Sequence, residues 1–175
     1  MQDELILVDL FDQAIGHGEK LDVHRRHLLH RAFSVFLVDE NGRWLLQKRA
    51  DGKYHSGGLW ANACCSHPRW GETLPQAVSR RLQEELGITG NAQELFSFIY
   101  YAPFPSLSEY EFDHVFLLRH SGPVTPNPEE IGATRWVTPE QLQQELLAHP
   151  EQFCSWFLIA APRVLALLSP PTENR

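Results

Sequence analysis

The 175-residue chain is poor in cysteine: it has three, an odd number, and two of them, Cys64 and Cys65, are neighbours. A disulfide scaffold does not use cysteine this way, so reduced thiols and a cytoplasmic location are the expectation. Basic residues are not in excess either, since 15 Lys+Arg against 22 Asp+Glu give a formal charge of -7 with histidine neutral. A general binder of nucleic acid or of a membrane surface needs a basic face, so neither partner is expected. Long apolar runs are missing. The nearest, Trp156 to Leu168, is cut by Pro162 and Arg163 and falls short of the roughly 18 residues of a membrane span. The opening Met1-Gln2-Asp3-Glu4 is acidic and has no basic segment ahead of an apolar one, which predicts no secretory signal. There is no internal repeat and no low-complexity linker, and the length suits one domain with a sizeable core.

What is present reads as a globular chain, 43% apolar and 21% charged. Glu4–Asp9, Ala32–Val38 and Arg43–Lys48 have the apolar content of strands. The last two flank Asp39-Glu40-Asn41-Gly42, a strong hairpin signal. Residues 49–72, rich in Gly, His and Cys, predict a long loop with short extended pieces, and long loops in compact domains are usually functional. Thr73 to Leu86 is the clearest helix, with Thr73 and Gln76 spaced as a capping box and Gly87 as a stop. Further strands are expected at 94–101, 110–118 and 133–137. A helix opens at Thr138-Pro139-Glu140, and another covers 152–168, bent or broken near Pro162. Strands interspersed with helices predict a mixed α/β domain.

Charge is unevenly spread. From Lys20 to Arg81 there are 11 basic and 5 acidic residues, and six of the nine histidines lie in or just before that stretch. Such a cluster is either solvated surface or a pocket for a small polyanion, which a few Arg and Lys side chains hold well. On the helix, Leu74, Val78, Leu82 and Leu86 form one stripe, and Glu85 falls within it while Glu84 points away. A carboxylate aimed inward is costly unless paired, which leaves an ion pair with Arg81 or contact with metal or phosphate. Glu109 and Glu111 share one face of a strand. They suit an exposed edge or a bound cation that relieves their repulsion. Cys65 and His67 could supply a nucleophile, a proton donor or a metal ligand, or could be ordinary core residues.

Residues 66–88 read Ser66-x5-Glu72-x7-Arg80-Arg81-Leu82-x-Glu84-Glu85-x-Gly87-Ile88. This resembles a degenerate Nudix box, with Ser66 in place of its first glycine and Arg81 in place of the glutamate after its arginine. Losing that glutamate argues against Nudix-type hydrolysis. Four further motifs are His24-x5-His30-Arg31-Ala32-Phe33-Ser34, Trp60-x-Asn62-x-Cys64-Cys65-Ser66-His67-Pro68, Glu109-x-Glu111 and Ser155-Trp156-Phe157. Together they are similar in order and spacing to the type 1 isopentenyl-diphosphate isomerases, over roughly Lys20 to Phe157. Ala61 and Ala63 depart from the threonines common beside that asparagine.

The resemblance implies a Nudix-like α/β (α+β) fold, a central mixed sheet flanked by helices, in one domain over 1–169 with a flexible tail over 170–175. It implies a 1,3-allylic proton shift between isopentenyl and dimethylallyl diphosphate, and a small diphosphate substrate as partner to a monomer or weak homodimer. It implies that His24, His30, His67, Glu109 and Glu111 hold Mn²⁺, Mg²⁺ or Zn²⁺, and that Glu85 contacts a second ion, Mg²⁺, carried in by the diphosphate. Lys20, Arg49, Lys53 and Arg81 would grip that diphosphate. Cys65 and Glu111 would exchange protons with opposite faces of the hydrocarbon, with Tyr100 bonded to the same group and Trp156 facing the developing cation.

Overall fold

The computed structural model describes residues 3–169. The tail expected over 170–175 lies outside the described residues. In chain order the elements are β1 (Glu4–Val8), β2 (Ala14–Glu19), α1 (Lys20–Arg25), β3 (His30–Val38), β4 (Trp44–Arg49), β5 (Trp60–Asn62), β6 (Cys64–Ser66) and α2 (Leu74–Leu86). Then follow β7 (Gln93–Pro103), β8 (Ser108–Arg119), β9 (Ile131–Val137), α3 (Pro139–Ala148), a 3₁₀ turn (Pro150–Gln152) and α4 (Ser155–Leu168). Among the described residues no helix is long and apolar enough to cross a membrane.

β3 organises the sheet. It pairs in parallel with β8 over its whole length, His30 with Glu111 through Val38 with Arg119, so β1, β6 and β4 share its other edge. β7 pairs antiparallel with β8, and β4 pairs antiparallel with β5 and β9. The Asn41-Gly42 turn forms, with Gly42 at φ 75° and the Asp39 carboxylate accepting from the Asn41 and Arg43 amides. The long hairpin ladder expected on either side of it does not. Only Val38 and Trp44 pair there, because the neighbouring positions of β3 are taken by β6.

Strand alternation divides the core in two. Phe33, Val35 and Leu37 pack with Val78, Leu82 and Leu86 of α2, while Phe36 and Val38 pack with Phe157, Ala160, Ala161 and Val164 of α4. The sheet is thus mixed and flanked by helices on both faces, as the resemblance implies. α2 starts at a reciprocal Thr73–Gln76 capping box and stops at Gly87, whose φ of 65° is left-handed, a conformation glycine adopts without a Cβ penalty.

The last helix differs from expectation. Residues 150–152 form a separate turn, and α4 begins at Ser155 and runs unbroken through Pro162. Pro162 and Arg163 lie on the exposed side of α4, where the carbonyl freed by the missing N–H can meet water rather than remain buried. Two elements had no sequence expectation, β2 and α1. β2 is held by pairing with β1, and the Glu19 carboxylate caps α1 by accepting from the Leu21 and Asp22 amides.

Candidate active site

Seven segments distant in sequence converge on one cavity. Its walls include Lys20, Arg49, Lys53, Arg81, Cys65, His67, Tyr100, Glu109, Glu111 and Trp156. All four cations expected to hold a polyanion therefore face one space. Their crowding bears on Lys20, whose ammonium is held below its ordinary range by burial and then by the charges of Lys53 and Arg81. A polyanion in that space would relieve the repulsion.

The histidines and acids form a second feature of the same cavity. One ligand atom from each of His24, His30, His67, Glu109 and Glu111 lies within 4.8 Å of all the others, and all five residues are buried. β8 brings the two acids to one face, and its register sets His30 of β3 beside Glu111. His24 Nδ1 is 2.6 Å from the Lys20 carbonyl and His30 Nδ1 is 2.9 Å from that of Leu28. Each Nδ1 must donate to its carbonyl, so in the neutral ring Nε2 presents a lone pair. Those lone pairs confront carboxylate oxygens, at 3.3 Å for His24 and Glu109 and 3.7 Å for His30 and Glu111. His30 Nε2 and Glu109 Oε2 are buried without any hydrogen-bond partner. Acceptors facing acceptors in a dry site fit a divalent cation between them.

The charges agree. Burial, partly opposed by Glu111, holds His67 well below the ordinary imidazole range, so it is neutral at neutral pH. Burial alone would raise Glu109, but the closeness of Glu111, His24 and His55 overcomes it and keeps the carboxyl well below its usual range, and Glu109 in return outweighs burial and raises His24.

The remaining predicted residues divide. Tyr100 donates to Glu111 Oε2 at 2.9 Å. The Cys65 thiol, pushed well above its ordinary range by burial, donates to Asn62 Oδ1 at 3.1 Å. The indole N–H of Trp156 donates to the same oxygen, also at 3.1 Å. Cys64 and Cys154 are buried in opposite cores, and all three thiols are free. Glu85 is not part of the cavity wall. It is buried behind it, with Arg81 Nη2 donating to it at 2.5 Å, so the two residues form an ion pair. Burial raises its carboxyl, and the Arg81 charge only partly offsets this.

Three residues given no role from the sequence matter here. Asn62 is 1% exposed, and its amide also donates to the carbonyls of Val35 and Cys64 at 3.1 and 2.9 Å. Its position between Trp60 and Cys64 in a motif was the available signal. Glu130 bridges Lys53 and Arg81, and only tertiary pairing reveals that. His55 places Nε2 against Glu109 Oε1 from a Gly-rich loop without periodicity.

A family model described as the NUDIX domain matches residues 28–157. An isopentenyl-diphosphate Delta-isomerase of Serratia proteamaculans is 50% identical over 159 residues, 90% of this chain and 89% of the relative. Isopentenyl-diphosphate Delta-isomerase 2 of Aromatoleum aromaticum is 44% identical over 170 residues, 97% of this chain and 90% of the relative. Among solved structures, the DR0079 protein of Deinococcus radiodurans superimposes with a TM-score of 0.78 at 26% identity, covering 92% of this chain and 98% of its own. With a NUDIX domain over most of its length and curated relatives at this identity, the chain belongs to the isopentenyl-diphosphate Delta-isomerase family.

Proposed function

We propose that the chain interconverts isopentenyl and dimethylallyl diphosphate, and that Cys65, Glu111, Tyr100 and Trp156 carry the proton shift. One observation supports this reading above the others: a protonated thiol and a hydrogen-bonded carboxyl face the same largely buried cavity beside an indole and a set of cations. Hydrolysis needs neither the thiol nor the indole.

Lys20, Arg49, Lys53 and Arg81 bind the diphosphate, and the hydrocarbon lies between Cys65 and Glu111. One of these groups adds a proton to the terminal methylene carbon of the alkene, and the other removes one from C2, so the double bond moves by one position and no atom is lost. Tyr100 holds the Glu111 carboxyl in place through Oε2. The positive charge that develops on C3 meets the π face of Trp156, an attraction worth about 2 kcal/mol in a desolvated site. Exclusion of water prevents capture of the intermediate as an alcohol.

His24, His30, His67, Glu109 and Glu111 hold Mn²⁺, Mg²⁺ or Zn²⁺, a ligand set of imidazole and carboxylate that suits a borderline ion as well as a hard one. When bound, the ion supplies charge that fixes the acids and tunes the acidity of Glu111. Glu85, already paired with Arg81, would contact a second Mg²⁺ entering with the diphosphate. The chain works in the cytoplasm as a monomer or weak homodimer, with residues 1–169 as its single domain.

The test is incubation of purified protein with isopentenyl diphosphate and Mg²⁺. Dimethylallyl diphosphate should form without phosphate release, and free phosphate with no allylic product overturns the reading. Cys65→Ala should fold and lose nearly all turnover.

A further inference from the structure

We propose that Glu130 competes with the diphosphate for its binding groups: the carboxylate holds Lys53 and Arg81 at the cavity wall, and a diphosphate must take both cations from it. The inference rests on the reading of Lys53 and Arg81 as diphosphate-binding residues given above.

The four cations are not held alike. Lys20 Nζ lies 5.2 Å from the centre of the Tyr54 ring. Arg49 Cζ lies 5.3 Å from the Trp156 ring, and its Nη2 donates to the His55 carbonyl at 3.3 Å. Lys53 instead donates from Nζ to Glu130 Oε2, and Arg81 Nη2 lies 3.3 Å from Glu130 Oε1. Each oxygen of one carboxylate thus takes one cation. Arg81 also donates from Nε and Nη2 to Glu85 Oε1 at 3.1 and 2.5 Å, and from Nη1 to Glu84 Oε2 at 2.7 Å. Three acids surround that guanidinium, so little donor capacity is left for a further anion unless one of them gives way. Burial alone would raise the Glu130 carboxyl, but Lys53 and then Arg81 hold it below its usual range, so it is charged at neutral pH.

Glu130 is fixed to the site by its backbone. Its N–H donates to the Asn127 carbonyl at 3.0 Å, and its carbonyl accepts from the Ala50 amide at 3.1 Å. The next residue, Ile131, pairs with Arg49 in the ladder of β4 and β9. The Lys53 amide returns to the Ala50 carbonyl at 3.2 Å, so the lysine and the acid that binds it are tied to the same point. A tethered carboxylate acts at a high effective concentration. Its side chain is nevertheless 24% exposed and borders a neighbouring cleft with Lys20, Arg80 and Arg81. Water can therefore solvate it when the cations turn to a diphosphate.

A competitor of this kind suits the reaction. Substrate and product carry the same diphosphate, so each contact with it is worth the same before, during and after the proton shift. Uniform binding lowers KM without raising kcat, and an anchor that is too strong slows product release. A site whose cations are free of Glu130 about one-tenth of the time binds about 10-fold more weakly than one whose cations are always free.

The probe is inorganic diphosphate, titrated calorimetrically into the full chain. Glu130→Gln keeps the side-chain length and removes the charge. It should bind the probe about 10-fold more tightly than the parent, and its KM for isopentenyl diphosphate should fall by a similar factor with kcat no higher. A carboxylate that merely props the two cations in place would weaken binding when neutralised, so unchanged or weaker affinity overturns the proposal. Lys53→Met checks the underlying reading. If it binds the probe as tightly as the parent does, Lys53 is no diphosphate ligand and both ideas fall. If it binds more weakly while Glu130→Gln binds no more tightly, only the role of Glu130 is overturned. Should Glu130→Gln fail to melt cooperatively, Glu130→Ala decides by the same criterion.

Discussion

Asn62→Leu is the most informative single substitution. Leucine keeps the branched outline of asparagine with bulkier tips, so at a site 1% exposed the change removes hydrogen bonds and crowds the core rather than opening a cavity. Four are lost: those donated to the carbonyls of Val35 and Cys64, and those accepted from the indole of Trp156 and the thiol of Cys65. A typical intramolecular hydrogen bond contributes about 1 kcal/mol net, and a thiol less, so the expected loss is roughly 3–4 kcal/mol. A chain of this size shifts its melting temperature by about 2–4 °C per kcal/mol, which puts the variant about 6–16 °C below the parent but still folded at 25 °C. The larger effect should fall on turnover. Cys65 and Trp156 share one oxygen as anchor, and a drift of about 1 Å in a catalytic group can cost about 10²-fold. Asn62 makes no hydrogen bond to Lys20, Lys53 or Arg81, so KM should change little. Thermal melts and steady-state conversion of isopentenyl diphosphate, read by NMR of the allylic product, measure both quantities. A folded Asn62→Leu with kcat within about three-fold of the parent, or a loss confined to KM, would show that the shared oxygen does not position the chemistry.

Three other outcomes can be checked. Chelation with EDTA should abolish turnover and lower the melting temperature while leaving a cooperative transition, since two packed cores are independent of the cluster; complete unfolding on chelation would make the cluster a folding device instead. Burial, and then the charge of Glu111, raise the Asp113 carboxyl well above its ordinary 3.8. Its contribution is therefore complete below that value and lost as pH rises through the folded-state pKa. Asp113→Asn, which keeps an oxygen for the Ser34 hydroxyl that now donates at 2.8 Å, should exceed the parent in melting temperature at pH 8 by more than at pH 5, and a gap independent of pH contradicts the assignment. Ser56→Gly should relieve the left-handed strain of φ 54° and keep its melting temperature within a few degrees of the parent or above it; a larger fall would show that the Ser56 side chain contributes more than the strain costs.

The parts of the fold visible in the sequence were those with local causes. Thr73, Gln76 and Gly87 mark the ends of α2 through short-range hydrogen bonds and a left-handed stop. The 3.6-residue period put Glu85 on the buried stripe, and the two-residue period of β8 put Glu109 and Glu111 on one face. β2 was not visible, because Ala14-Ile15-Gly16-His17-Gly18-Glu19 has no alternation strong enough to announce a strand and depends on its partner. α1, at six residues, is too short to show a helical period. Pro162 misled, since a proline's effect depends on which side of the helix faces water. Family motifs supplied the candidate catalytic and metal residues. The contacts that tie those residues to one another, through Asn62, Glu130 and His55, arise only when strands, loops and helices distant in the sequence come together.

The parallel ladder of β3 and β8 carries a consequence for how this protein can change over time. Because His30 sits opposite Glu111 by strand register alone, the spacing of the ion's ligands is a whole-number property of the backbone and cannot be retuned gradually. Dropping one residue within 31–37 would turn one end of that strand inside out relative to its neighbour, since successive side chains face opposite ways. Length variation should therefore be purged from these two strands and tolerated in stretches such as 121–124, where no ladder keeps count.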